Sequence, residues 1–124
     1  MDSNFTKIAR ILLGLALILF GINKFYSFIP MPQPPQDAAE FLGSLAETGY
    51  FMTFVAVLEI IIGLMLLFKL WVPFALLLLL PISINIVLFH LFLDLPSISA
   101  GLILAILNVV LLYKHKQKYK PLFI

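Results

Sequence analysis

Residues 70–93 contain no aspartate, glutamate, lysine or arginine. A helix needs about 20 mainly apolar residues to cross the hydrocarbon core of a bilayer. Further apolar runs of comparable character lie at residues 5–26, 50–68 and 98–113. The chain is 63% hydrophobic and 11% charged, whereas soluble domains are about 45–50% apolar and ~25% charged. These features predict one all-α integral membrane domain over residues 1–124, a bundle of four transmembrane helices.

The distribution of charge predicts the orientation of this bundle. Four crossings put both termini on one side, and cytoplasmic segments carry an excess of lysine and arginine. The side of the termini holds Lys7, Arg10, Lys69, Lys114, Lys116, Lys118 and Lys120. The opposite side holds Lys24 together with Asp37, Glu40, Glu47 and Asp94. We therefore expect a multi-pass protein of the plasma (inner) membrane, with cytoplasmic termini and a basic cytoplasmic tail at residues 114–124.

The outer loop at residues 27–49 is the one long connection between predicted spans. Its first part is rich in proline, which fixes φ and removes backbone donors, so the chain stays extended. Its second part places Phe41, Leu42 and Leu45 on one side of a short helix, as in helices that lie at a membrane interface. The loop is interpreted as a stiff spacer over the bundle or as a lid on an outward-facing cavity.

Glu59 is the least expected residue, because a charge in mid-membrane costs about 2.5–3.5 kcal/mol on insertion scales. Helical spacing places it on one face with Ala56 and Gly63, small residues that allow close approach of a second helix. In the first span, Lys24 continues a stripe formed by Gly14, Leu17 and Gly21. Both ionisable side chains are therefore predicted to face the interior of the bundle.

Two further candidate residues, Asn85 and His90, lie in the third span. Pro81 predicts a kink, and Asn85 follows it by one turn. Glu59 and Asn85 lie roughly 12–14 Å from the outer ends of their spans, at about 1.5 Å of rise per residue. His90 lies nearer the outer surface, about 140° around an ideal helix from Asn85, so the two share a face only if the kink rotates them.

These observations predict a cluster that opens to the outside and has ligand-binding or proton-relay character. Its candidate polar members are Asn23, Lys24, Glu59, Asn85 and His90. Its candidate wall residues are Phe25, Tyr26, Phe28, Phe51, Phe89 and Phe92. Each residue also has a structural interpretation: Glu59 and the asparagines can hold helices together, Lys24 and His90 can reach the interface, and phenylalanines commonly pack or face lipid.

Composition excludes several classes of chemistry. The chain has no cysteine, which removes disulfides, thiolate metal ligands, iron–sulfur ligation and covalent haem attachment. His115 is predicted on the opposite side of the membrane from His90, so the two cannot ligate one haem. A net charge of +2 is too small to indicate nucleic acid. No catalytic residue, metal site or resident cofactor is predicted, and an autonomous enzyme is not expected.

Several residues together resemble the DoxX family of small four-span membrane proteins. The resemblance extends over about residues 8–113 and rests on an ordered set: Gly21 to Phe25, the following Met-Pro run, Gly49-Tyr50, Glu59 to Gly63, Pro73, Asn85, Leu88 to His90, and Asp94. This family includes small subunits associated with quinol oxidation and thiosulfate:quinone oxidoreduction, and members linked with redox stress. The resemblance implies a redox-associated membrane protein.

Three functions fit this sequence. The first is an accessory subunit of a quinone-linked oxidoreductase that binds a quinone-like or small amphipathic ligand in the outer half, with electrons supplied by a partner. The second is an assembly protein that packs against membrane redox-complex subunits or a second copy of itself. The third is a minimal transporter or proton pathway through Glu59, for which four helices leave little room.

Overall fold

Five α-helices account for most of the computed structural model, which describes residues 3–30 and 33–124. They are α1 (Asn4–Tyr26), α2 (Gln36–Glu47), α3 (Phe51–Leu67), α4 (Val72–Leu93) and α5 (Ile98–Lys114). Two 3₁₀ segments, Leu95–Ser97 and Lys116–Phe123, precede and follow α5. Residues 31 and 32 of the predicted proline-rich loop lie outside the described residues. The predicted all-α membrane bundle is confirmed.

Among the described residues, three helical segments are long and apolar enough to cross a membrane: α1, α4, and α5 together with the 3₁₀ turn before it. A fourth crossing is obtained when α2 and α3 are counted as one span, although these helices are bent by 90° relative to each other. The 17 residues of α3 rise about 25 Å. Helix α3 runs along the bundle, so the 90° bend turns α2 across one end of the bundle. We call this end the loop end, and we call the opposite end, where the chain termini lie, the terminal end.

Local sequence explains where the helices begin and end. Ser3 caps α1 by accepting a hydrogen bond from the backbone N–H of Thr6 at 3.1 Å. Helices α3 and α4 form a tight hairpin, in which Lys69 and Trp71 adopt positive φ angles of 58° and 47°. Pro73 follows at the second residue of α4, where its missing N–H costs no helical hydrogen bond.

The core lies between the helices and consists of aliphatic side chains. Fully buried members include Leu13, Leu17, Ile62, Leu66, Leu76, Leu79 and Leu111. Many large apolar side chains instead point away from the bundle, for example Phe54, Ile103 and Val109. An outer surface of this kind is stable in hydrocarbon and would be unfavourable in water, so the structure requires a bilayer.

The C-terminal tail folds back on the terminal end of the bundle. The Tyr119 hydroxyl donates a hydrogen bond of 2.7 Å to the Pro73 carbonyl at the start of α4. Lys114 and Lys116 lie over the rings of Phe5 and Tyr113, with ammonium-to-centroid distances of 5.9 and 4.3 Å. The tail is therefore held by specific contacts in addition to its charge.

We expect the docked tail to be sensitive to alkaline pH. Burial raises the pKa of Tyr119 from 10.0 to about 12. Below pH 10 the phenol is neutral in both folded and unfolded chains, so the docked Tyr119 contributes fully to the stability of the folded chain. Above pH 10 the unfolded chain loses its proton first, and the contribution declines as the pH rises toward 12. Tyrosinate absorbance of the wild type should show a step near pH 12 that is missing in Tyr119→Phe. If the step that Tyr119→Phe removes lies near pH 10, Tyr119 is exposed and the prediction is wrong.

Candidate functional site

A close contact of α1 with α3 sets the geometry of the site. A Cβ atom built on Gly63 would lie 2.7 Å from the Gly14 carbonyl oxygen. A Cβ built on Gly21 would lie 3.0 Å from the Ala56 carbonyl oxygen. Gly14 therefore lies opposite Gly63 and Gly21 opposite Ala56, which is an antiparallel pair of helices held backbone to backbone. Small residues at a helix contact permit this separation.

Lys24 and Glu59 form an ion pair beside this contact. The Lys24 Nζ atom donates to Glu59 Oε1 at 2.8 Å. The Glu59 side chain is 4% accessible, whereas 26% of the Lys24 side chain is accessible. The carboxylate is thus enclosed by the bundle, and the ammonium group links it to a more open position near the loop end.

The directions of the two side chains explain why they meet. In the antiparallel register, Glu59 lies about six residues, or ~9 Å, deeper than Lys24. Side chains of a helix lean toward its N-terminus, so Lys24 leans into the bundle and Glu59 leans toward the loop end. Lys24 also lies in the last turn of α1, where the helix dipole favours a cation.

Asn23 is placed next to this pair but has its own partners. Its Oδ1 accepts a hydrogen bond from the Ile29 N–H at 2.7 Å, and its Nδ2 donates to the Ile29 carbonyl at 3.4 Å. The chain turns there because Ser27 adopts a φ of 50° and donates its N–H to the Asn23 carbonyl at 2.8 Å. Asn23 therefore fixes the chain as it leaves α1, and its amide is hydrogen-bonded to Ile29 and not to Glu59.

The structure does not bring Asn85 to the ion pair. Asn85 is exposed on the outer surface of α4, as are Pro81 and Leu88 on the same side of that helix. The described part of the chain provides no hydrogen-bond partner for its amide. The polar residue that faces the interior from α4 is Ser83, which is 1% exposed.

His90 lies at the contact between α4 and α5, away from the ion pair. Its Nδ1 is 3.2 Å from the Asp94 carbonyl oxygen, and its ring stands edge-on to Phe89 at 5.1 Å between centroids. A Cβ built on Gly101 would lie 3.1 Å from His90 Cδ2, so this glycine makes room for the imidazole.

The aromatic residues predicted as pocket walls are divided between several environments. Tyr26 and Phe92 are each 79% exposed, and Phe25 and Phe28 are also exposed. Phe51 and Phe89 are partly buried. Phe89 contacts Phe41 of α2 at 5.8 Å between ring centroids, which joins the short helix to the loop end of the bundle. The described residues include no group of three or more His, Cys, Asp or Glu side chains that could hold a metal ion.

Two buried polar side chains outside the candidate site hold helices together. Arg10 is 6% exposed, and its Nη1 donates to the Leu66 carbonyl and, at 3.3 Å, to the Leu67 carbonyl. It thereby places a cation at the C-terminal end of α3. Asn108 is fully buried, accepts from the Ser83 hydroxyl at 2.8 Å and donates to the Leu76 carbonyl at 3.1 Å. This joins α5 to α4 near Pro81.

This geometry defines a class of protein. It is a helical membrane bundle in which a lysine–glutamate ion pair, with its glutamate buried, lies beside a close helix contact at glycines. The family model described as DoxX matches residues 5–91, which include both members of the pair and the four glycine and alanine positions around them. The chain belongs to the DoxX family. No curated protein matches the chain, and no solved structure matches it.

Proposed function

We propose that this protein is a redox-associated accessory subunit that binds a quinone-like or other small amphipathic ligand beside Lys24 and Glu59. The observation that carries the proposal is the 2.8 Å ion pair, with one member enclosed and the other partly accessible. Burying a charge pair costs desolvation that apolar packing avoids, so a pair of this kind is often neutral or unfavourable for stability alone. A binding role explains why the pair is placed there.

The chemistry of the pair suits an uncharged ligand with oxygen atoms. The lysine ammonium has three N–H donors, of which one is directed to Glu59 Oε1. The others can donate to a carbonyl oxygen, and the carboxylate can accept from a hydroxyl group or take its proton. Since the two charges cancel, an anionic ligand gains little from Lys24 and is repelled by Glu59. Electrons for a redox change would come from a membrane redox partner.

Binding of a chainless probe to the protein in lipid nanodiscs tests this proposal. We expect dimethylnaphthoquinone to raise the unfolding temperature of the wild type, since a ligand at 100 times its Kd stabilises by about 2.7 kcal/mol. Glu59→Gln and Lys24→Met should each remove most of this shift. Glu47→Gln is the matched control, because Glu47 is exposed on α2. Equal shifts in wild type and Glu59→Gln would contradict the proposal.

We also place the protein in the plasma (inner) membrane with cytoplasmic termini. The excess of lysine and arginine at the terminal end supports this orientation. Because the chain has no cysteine, a single introduced thiol can report its side without interference. An impermeant thiol reagent should label Gln36→Cys in intact cells and label Gln117→Cys only after the membrane is opened. The reverse pattern would overturn the orientation.

One observation favours a second function, membrane assembly. The Asn85 amide is exposed on the bundle surface in the middle of α4, where hydrocarbon offers it no hydrogen bond. A polar residue on a neighbouring membrane helix would satisfy it. If assembly is the main function, Asn85→Leu should dissociate a complex seen by native mass spectrometry, whereas Leu88→Ile, also exposed on α4, should leave it intact. An unchanged complex in Asn85→Leu would remove this alternative.

A further inference from the structure

A groove on the membrane-facing side of the bundle lies between α1 and α5. Its volume is about 210 Å³, and it is open along one side. Every lining residue is apolar: Leu13, Ala16, Phe20, Ala100, Ile103, Leu104 and Leu107. Ala16 and Ala100 supply the small walls that make the surface concave.

The loop end of the groove lies one helical turn from Lys24. Phe20 lines its loop end, and Lys24 follows Phe20 by one helical turn on the same face of α1. The Lys24 side chain leans toward the preceding turn of α1, which contains Phe20, and its ammonium group is held by Glu59. Gly21 of the same segment faces α3, so the groove and the ion pair lie on neighbouring faces of α1.

We infer that this groove holds the hydrocarbon chain of the ligand whose polar head lies at Lys24 and Glu59, a long-chain quinone with an isoprenoid or alkyl tail. The inference rests on the proposed function and adds the part of the ligand that the ion pair does not bind. The groove has room for on the order of seven water-sized groups, enough for the first isoprene units of a tail. The remainder of the tail would continue into the bilayer through the open side.

The charge of the site selects this occupant over a phospholipid. A phospholipid would place a phosphate near Lys24, where the Glu59 carboxylate already neutralises the ammonium group and would repel an anion. A quinone head is uncharged and presents carbonyl oxygens to N–H donors. In hydrocarbon a tail gains no hydrophobic free energy by leaving lipid, so the shape of the groove must supply the preference through packing.

The test compares two probes in phosphatidylcholine nanodiscs, with concentrations expressed per lipid so that partitioning cancels. The probes are dimethylnaphthoquinone and the same ring carrying a short isoprenoid chain. We expect the wild type to bind the chain-bearing probe at least about tenfold more tightly. Ala100→Leu, which fills one wall, should remove that advantage and leave the chainless probe unaffected. Ala16→Leu fills the opposite wall and should do the same if Ala100→Leu alone unfolds the protein.

The control is Val109→Leu, which enlarges an exposed α5 side chain outside the groove and should change neither affinity. Equal affinities of the wild type for both probes, with no effect of either groove-filling variant, would overturn the inference while leaving the proposed function in place. Native mass spectra provide a second test that could overturn the inference. It would be overturned if the wild type retains a phospholipid that the Ala100→Leu variant does not retain and that the chain-bearing probe does not displace. If neither probe binds the wild type, the proposed function fails as well.

Discussion

Replacement of Lys24 by methionine is expected to destabilise the folded bundle by about 3–5 kcal/mol, because it leaves a buried carboxylate without its counter-ion. The Glu59 side chain is 4% accessible, so it cannot reach water without moving α3 or the helices around it. Methionine keeps the length and apolar stem of lysine, which limits the change to the ammonium group. Reversible unfolding in detergent, followed by circular dichroism, measures the loss.

The remaining variants of the pair separate charge from packing. Glu59→Gln should cost less than Lys24→Met, because Lys24 is 26% accessible and can turn its ammonium group toward the interface. The double variant Lys24→Met with Glu59→Met should recover most of the loss, since apolar replacements of a buried ion pair are often neutral or stabilising. Lys118→Met in the exposed tail is the control. A double variant no more stable than Lys24→Met would refute the explanation by an unpaired charge.

Helix positions and one half of the candidate site could be predicted from the sequence. Long apolar runs and turn-forming residues determine where the helices lie, because backbone polar groups must be satisfied within hydrocarbon. Spacing also put Gly21 and Lys24 on one face, and Ala56, Glu59 and Gly63 on another. The actual contact between these faces depends on the register of α1 against α3. That register is set by the glycine contacts and was not visible in either helix alone.

The orientation of α4 could not be predicted in the same way. The number of residues from the end of each span predicts similar depths for Asn85 and Glu59. Periodicity shows that Pro81, Asn85 and Leu88 share a side, but α4 is apolar on every side, so its sequence does not identify the side covered by neighbours. Ser83 and not Asn85 faces Asn108 in the structure.

Arg10 shows how a charge rule can conceal a structural contact. The rule that assigns arginine to the cytoplasmic side counts charges and treats their side chains as solvated. Arg10 nevertheless continues the stripe of Gly14, Leu17 and Gly21 by one turn, and that spacing would have placed it against α3. Its long side chain reaches the Leu66 and Leu67 carbonyls in the last turn of α3, where the regular helical hydrogen-bond pattern ends.

Introducing a single methyl group at Gly63 is expected to destabilise the bundle, although by less than breaking the ion pair. In Gly63→Ala the new Cβ would lie 2.7 Å from both the Gly14 carbonyl oxygen and Ile18 Cγ1, and 3.1 Å from the Ile18 backbone nitrogen. Backbone atoms cannot move aside as a flexible side chain can, so α1 must shift away from α3. Overpacking of this kind costs about 1–3 kcal/mol or more, against a gain of about 0.5–1 kcal/mol from replacing a helical glycine by alanine.

The same shift should reach the ion pair, because Lys24 contacts Glu59 across the helix pair that Gly14 and Gly63 hold together. We therefore expect Gly63→Ala to lower both the unfolding free energy and the affinity for dimethylnaphthoquinone. Gly43→Ala on α2 is the matched control: a Cβ there meets no atom within 4 Å, so this variant should be neutral or slightly more stable. If the two alanine variants unfold at the same denaturant concentration, α1 and α3 do not pack backbone to backbone. The 2.8 Å distance from Lys24 Nζ to Glu59 Oε1 would then need another explanation. Helices separated by ordinary side chains would hold the ammonium group farther from the carboxylate.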